Sequence, residues 1–266
     1  MAQKIIVFSN QKGGVGKTTL TREIGIYLSI AGKSTLLLDI DPQANLTKSL
    51  MDIEPSTSSE TGGLYEALTG ADASTGLSTG YEIREIQQNL YLLPGNIRLA
   101  ALEKTLIGEL DAYTRLKELL NEELFRQYEY ILIDSPPSLG VLTVNALTAS
   151  SNLVIPMNPA LYSMQGTNDL MDTVAKVKKN LNPDLAIAGV IINAFDQVPV
   201  ITRQIRDEIV ASFGGMVFGT MLSKSIKIEE AIAGRYGVVT LSKAKVRDEV
   251  RMIGEELVSR VEVSGR

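Results

Sequence analysis

Residues 9–19 read Ser-Asn-Gln-Lys-Gly-Gly-Val-Gly-Lys-Thr-Thr, and what flanks them decides the fold. Ahead of them Ile5, Ile6, Val7 and Phe8 form a continuous apolar run, the pattern of a strand buried on both faces of a parallel sheet. Behind them the period changes: Leu20, Ile24, Leu28 and Ala31 fall on one helical face and Gly32 supplies the stop. Between strand and helix, Gly13, Gly14 and Gly16 let the backbone wrap around an anion, while the helix N-terminus offers unpaired N–H groups. This is a phosphate cradle of the P-loop type, in which Lys17 reaches the β- and γ-phosphates and Thr18 binds Mg²⁺. The first glycine of the usual pattern would fall at Gln11, so the loop is a variant, and it carries an additional lysine, Lys12.

A length of 266 residues with 44% hydrophobic content fits one α/β domain, expected to span residues 1–266. The chain has no cysteine, which excludes disulfides, thiolate metal sites and cysteine-ligated clusters. It has no histidine either, so acid–base chemistry falls to carboxylates, lysines, tyrosines, water or the substrate. No apolar run approaches ~18 residues and a strand begins almost at the first residue, so neither a membrane span nor a secretory signal is expected, and the expected location is cytoplasmic. A net charge of −5 argues against whole-molecule attraction to nucleic acid and leaves room for a local basic patch.

Further along, apolar strands at 34–38, 90–93, 130–134, 153–155 and 186–193 alternate with helical patterns at 113–124, 161–178, 200–213 and 246–261, and a short strand is expected at 216–218. Residues 52–88, rich in Ser, Thr and Gly, read as a surface excursion with a short helix near 64–68. Such alternation means a mostly parallel twisted sheet with helices on both faces.

Two of these strands end in carboxylates, Asp39-Ile40-Asp41 and Asp134, and strand ends face the ligand crevice in open α/β sheets. Phosphoryl transfer needs cations on the phosphates, a metal and a group that holds the nucleophile. Asp134 ends its strand as a Walker B aspartate does and would hold Mg²⁺ beside Thr18. Asp39 and Asp41 point the same way on an extended chain and could share the metal's outer shell and the attacking water. Asn193, at another strand end, either reads an adenine edge or caps the next turn.

With Lys12, Asp39, Asp41 and Asp134 in place, the sequence resembles the ParA/MinD family of deviant-Walker ATPases. The resemblance runs from Ile5 to about Leu257 through three ordered motifs: residues 10–19, Asp39-Ile40-Asp41-Pro42-Gln43-Ala44-Asn45, and Ile133-Asp134-Ser135-Pro136-Pro137-Ser138-Leu139-Gly140. It implies ATP and Mg²⁺ as cofactors, with residues 12–19 (Lys12, Gly13, Gly14, Val15, Gly16, Lys17, Thr18, Thr19) contacting the nucleotide and Thr18, Asp39 and Asp134 around the metal; Asn193 is a further candidate nucleotide contact, with the turn cap as its other reading. It further implies an ATP-dependent homodimer in which Lys12 crosses to the partner's phosphates while Asp41 orients the hydrolytic water. Catalysis would then rest on Lys12, Lys17 and Asp41.

Among the family's branches, operator-reading members carry a helix-turn-helix ahead of the first strand, whereas this sequence opens on that strand, so that branch is not expected. MinD-like members end in a basic membrane helix, whereas the last helix here carries Asp248, Glu249, Glu255, Glu256 and Glu262. Cysteine-ligated relatives are excluded by the absence of cysteine, and the kinase relatives are not expected because no tyrosine cluster is seen in the C-terminal stretch. The small Soj-type partition branch remains, which implies a ParB-like adaptor, slow partner-stimulated ATP hydrolysis, non-specific double-stranded DNA as a second partner, nucleoid association when ATP-bound and no membrane. The matching basic residues are Lys224 and Lys227, with Arg203 as a weaker addition and two solvated surface lysines as the plainer reading. Ser223 stands where the family usually has a proline beside the adenine, and Ala160 where an acidic residue is common. The alternatives are a cargo-positioning or MinD-like ATPase, and a nucleotide-locked scaffold with negligible hydrolysis.

Overall fold

Side chains of the first strand, β1 (Lys4–Phe8), alternate between two cores: Ile6 and Phe8 enter one, Val7 the other. The computed structural model describes residues 3–52, 62–70, 80–161, 164–196 and 199–263. The remaining strands are β2 (Thr35–Asp39), β3 (Arg84–Gln87), β4 (Leu90–Leu93), β5 (Tyr130–Asp134), β6 (Asn152–Met157) and β7 (Ala186–Ile192). They form a seven-stranded sheet in the order β3-β4-β2-β5-β1-β6-β7, parallel throughout except where β3 runs against β4. The mostly parallel α/β architecture expected from the alternation is therefore the one observed.

The helices are α1 (Lys17–Ile30), α2 (Asn45–Leu50), α3 (Leu64–Thr69), α4 (Leu99–Thr105), α5 (Arg115–Leu120), α6 (Val141–Ala149), α7 (Met164–Asn180), α8 (Val200–Phe213), α9 (Ile226–Ala233) and α10 (Lys245–Val263). On one face of the sheet Leu20, Ile24 and Leu28 of α1 pack with Val246, Val250, Ile253, Leu257 and Val261 of α10. The aliphatic stripe of the last helix is thus core, each fully buried side chain contributing about 1.5–3 kcal/mol. On the other face Leu142, Leu147, Leu170, Val174 and Ile209, from α6, α7 and α8, cover Val7, Leu36, Leu38, Ile131, Ile133 and Ile155.

Several boundaries differ from the sequence reading. The helix expected at 113–124 is the shorter α5 followed by a 3-10 turn at Glu123–Gln127. The strand expected at 216–218 is a single bridge, Val190 to Val217, because the chain is turning there through Gly214 at φ 51°. No strand was expected within 52–88, yet β3 closes the antiparallel edge; the stretches 53–61 and 71–79 of that excursion, and the start of the 161–178 helix at 162–163, lie outside the described residues. Helix α6 gave no periodic signal because it is buried nearly all round, so apolar residues occupy every side of it.

One register relation positions everything that follows. Phe8 of β1 and Asp39 of β2 both lie opposite Asp134 of β5, so three adjacent strands end at one level. The loops after β1, β2 and β5 consequently open onto the same carboxyl edge of the sheet.

Candidate active site

The loop after β1 is held open by its own side chains and by its neighbours. Asn10 is buried; its Nδ2 donates to the Pro156 carbonyl at 2.7 Å and its Oδ1 accepts from the Lys12 backbone N–H at 3.1 Å. Gly14 and Gly16 take positive φ, 73° and 94°, which turns successive amides toward the concave side. At Gly16 the space is closed as well: a Cβ there would lie 1.7 Å from Nδ2 of Asn193, and that Nδ2 donates to the Val15 carbonyl at 2.9 Å. Gly16 caps α1 with no side-chain bond, leaving the first N–H groups of the helix directed into the loop.

Cations and carboxylates converge on this cradle. Lys17 is 7% exposed, and its Nζ donates to the carbonyls of Asn10 and Lys12 at 3.1 and 3.0 Å. Burial lowers its pKa, while Asp134 and Asp41 act to raise it. Lys12 sits half-buried in the same loop. The Thr18 hydroxyl donates to Asp134 Oδ2 at 2.6 Å, whereas Asp134 Oδ1 is buried with no hydrogen-bond partner. Burial, reinforced by neighbouring Asp39, raises the Asp134 pKa well above the ordinary carboxylate range. An orphaned buried carboxylate oxygen next to a P-loop threonine hydroxyl is the donor set that a water-shelled Mg²⁺ requires. Among the described residues no group of three or more Asp, Glu, His or Cys side chains is arranged to enclose a metal ion.

Asp39 and Asp41 diverge. Asp41 is 7% exposed, lines the cleft and accepts the Gln43 backbone N–H at 2.9 Å. Asp39 is fully buried: its Oδ2 accepts both the backbone N–H and the hydroxyl of Thr47 at 2.8 Å, and its Oδ1 accepts the Asp41 N–H at 3.3 Å. The carboxylate expected in the metal's outer shell is thus bonded to the first turn of α2. Burial raises its pKa to about 7 in spite of the Thr47 hydrogen bonds.

The cleft has a volume of about 470 Å³ and extends from Gly13, Gly14, Lys17 and Thr18 to Asn193, Ala194, Ser223 and α9. Ile228 and Ile232 give its α9 end an apolar lining suited to a base, while Pro137 lines the cleft beside Gly13. Lys224 also lines the cleft, while Lys227 lies exposed in the first turn of α9 and Arg203 exposed on α8. The chain therefore brings Gly13, Gly14, Gly16, Lys17, Thr18, Asp41 and Asn193 together with Lys224, a residue assigned from sequence to a separate surface. Sequence reasoning missed the contribution of α9, although Ser225 as its N-cap and Ile228 with Ile232 one turn apart carry a helix signal.

Known proteins resemble this chain over most of its length. Residues 3–187, which hold the loop and both strand-end carboxylates, match a family described as an AAA domain. The chain is 38% identical over 228 residues to the sporulation initiation inhibitor protein Soj of Bacillus subtilis, covering 86% of this chain and 87% of that one. The chain is a member of the ParA/MinD family of partition ATPases. Among solved structures, a plasmid partition protein from Borrelia burgdorferi bound to AMPPNP superposes with a TM-score of 0.75 at 27% identity, covering 100% of both chains. Cobyrinic acid a,c-diamide synthase from Mycobacterium smegmatis with bound ADP and magnesium gives a TM-score of 0.81 at 28% identity, over 100% of this chain and 97% of that one. No helix among the described residues is long and apolar enough to cross a membrane.

Proposed function

We propose that the chain is a partition ATPase that binds and hydrolyses Mg-ATP in the cleft between the loop after β1 and helix α9, and uses the nucleotide to switch assembly. The observation that carries this reading is the pairing of the Thr18 hydroxyl with Asp134 beneath a loop in which Gly16 admits no side chain. AMPPNP in the Borrelia relative, and ADP with magnesium in the Mycobacterium one, support the choice of ligand.

Thr18 and Asp134 would hold Mg²⁺, whose charge, when bound, offsets the negative charge that builds on the phosphates. Lys17 exchanges its two backbone carbonyls for phosphate oxygens, a stronger, charge-assisted set of acceptors. Asp41 accepts a hydrogen bond from the attacking water and so orients it toward the γ-phosphorus. Lys12 supplies a second cation across a dimer, which makes hydrolysis conditional on assembly. Through Lys227, Arg203 and Lys224 the ATP dimer holds double-stranded DNA without sequence preference, and a ParB-like adaptor stimulates turnover.

The test is Mg-ATP titration by calorimetry, sedimentation with and without ATP, and phosphate release with and without duplex DNA. Micromolar or tighter binding, an ATP-dependent dimer and slow turnover are expected. A chain that binds Mg-ATP yet releases no phosphate under any of these conditions would instead be a nucleotide-locked scaffold.

A further inference from the structure

Thr47 stands outside the cleft and is 3% exposed, yet it joins three parts of the carboxyl edge. Its backbone N–H and its hydroxyl both donate to Oδ2 of Asp39 at 2.8 Å, and its Oγ1 accepts the backbone N–H of Gly95 at 3.0 Å. The remaining oxygen of Asp39 accepts the N–H of Asp41 at 3.3 Å. Asp39 therefore bonds both ends of the loop that carries Asp41: the strand end at Asp41 itself and the first turn of α2 at Thr47.

The loop between has little freedom. Asp41 accepts the N–H of Gln43 on its side chain at 2.9 Å and the N–H of Ala44 on its carbonyl at 2.8 Å, and Ala44 is held at φ 52°. Ala44 gives α2 no side-chain cap, so the Asp39 carboxylate takes that role from a neighbouring strand. Gly95, after β4, fixes the other side: a Cβ there would lie 2.5 Å from the Asp39 carbonyl, which leaves the backbone close enough to reach Thr47.

We propose that Thr47 is a positioning residue for hydrolysis, setting the loop that carries Asp41 through the Asp39 carboxylate and tying it to the end of β4. This rests on the reading of Asp41 as the group that orients the water. Thr47 does not line the cleft, so it acts on the chemical step and leaves ground-state binding alone. A small displacement of an orienting group costs rate steeply, on the order of 10²-fold for about 1 Å.

The test compares Thr47→Val, which keeps shape and backbone N–H and deletes the hydroxyl, with Thr47→Ser, which restores it. Single-turnover ATP hydrolysis should fall at least ~10-fold in Thr47→Val and return to within ~3-fold of the parent in Thr47→Ser. Mg-ATP affinity by calorimetry should stay within ~3-fold in both. In an Asp41→Ala background Thr47→Val should cause no further loss, since the two act as one unit. Equal losses with and without Asp41, or a fall in affinity matching the fall in rate, would overturn the proposal. Should Asp41→Ala itself keep the parental rate, the reading of Asp41 fails. Should Asp41→Ala lose activity while Thr47→Val keeps it, only the role of Thr47 fails.

Discussion

Asn193 and Gly16 meet where β7 passes the phosphate loop: the amide Nδ2 of Asn193 occupies the place a Cβ of residue 16 would need, and donates to the carbonyl of Val15. An alanine at position 16 would carry left-handed strain of about 1–2 kcal/mol and would also push Asn193 off Val15. Gly16→Ala should lower Mg-ATP affinity by more than ~10-fold with helix content unchanged, measured by calorimetry and circular dichroism. An unchanged affinity would mean that the loop accommodates nucleotide elsewhere along the chain.

Lys17 gives a separate measure of the same cradle. Its ammonium is stored on two loop carbonyls, so an incoming phosphate finds it already desolvated and aimed. Hydrogen bonds to charged groups contribute about 1.5–3 kcal/mol, and Lys17→Ala should therefore weaken Mg-ATP binding by roughly 10- to 150-fold. Wild-type affinity in that variant would remove Lys17 from the site.

Much of this cradle was legible before any coordinates because a phosphate loop must be contiguous: strand, glycines, Lys17 and Thr18 follow one another in the chain. Asp134 was legible as the end of an apolar strand. What could not be read was how distant segments meet. The support from Gly95 and the entry of Lys224 into the cleft depend on packing between elements far apart in sequence, and the turn of Asp39 toward Thr47, although local, depends on how the loop between β2 and α2 folds back on the strand end. Ser223 shows the same limit. Its departure from the family's proline was visible, but its hydroxyl donating to Glu249 at 2.6 Å while accepting from Lys245 at 2.9 Å required the docking of α10.

The buried carboxylates make the nucleotide-free chain pH-sensitive in a definite direction. Asp39, raised to about 7, and Asp134, raised well above the ordinary range, keep protons in the folded chain that the unfolded chain has released above about pH 4. Where the native state binds more protons than the unfolded one, stability falls as pH rises, so the Asp39 part of this penalty grows from about pH 4 to about pH 7 and is complete above that. Asp134→Asn, with no proton to lose, should melt at the wild-type temperature near pH 4 and progressively above it as the pH rises from there. A melting difference that stays flat across that range would contradict the burial of this charge.

On the face of α1 away from the loop, Arg22 and Glu23 are both fully buried and paired. Arg22 Nη2 also donates to the carbonyls of Ala231 and Tyr236 at 3.3 and 3.1 Å, and Glu23 Oε2 accepts the Val238 N–H at 2.8 Å, so the pair joins the phosphate-loop helix to the C-terminal side of α9. Removing one partner strands a charge in the core, and Glu23→Leu should cost about 3–5 kcal/mol in urea unfolding. The double change Arg22→Met with Glu23→Leu should recover most of that loss. A double variant no more stable than the single one would show that the bonds to 231–238, and not the charge pair, hold the two segments together.

Lys224 lines the cleft, so a change there alters nucleotide contacts as well as any contact with DNA, while Lys227 and Arg203 lie exposed and outside the cleft lining. A chain of net charge −5 repels a polyanion at long range, and a monomer should bind duplex weakly. A dimer presents the patch twice. If each subunit neutralises about two or three phosphates, log affinity should fall against log salt with a slope of about −4 to −5. Lys227→Ala removes one contact per subunit, and the slope for its ATP dimer should shrink by about 2 with ATP affinity and dimerisation unchanged. Binding that requires ATP, ignores sequence and loses this increment would place Lys227 on the phosphates. A slope that does not move would put the interface on another face of the molecule, and wild-type dimers that hold no duplex at low salt would remove DNA from the proposed function.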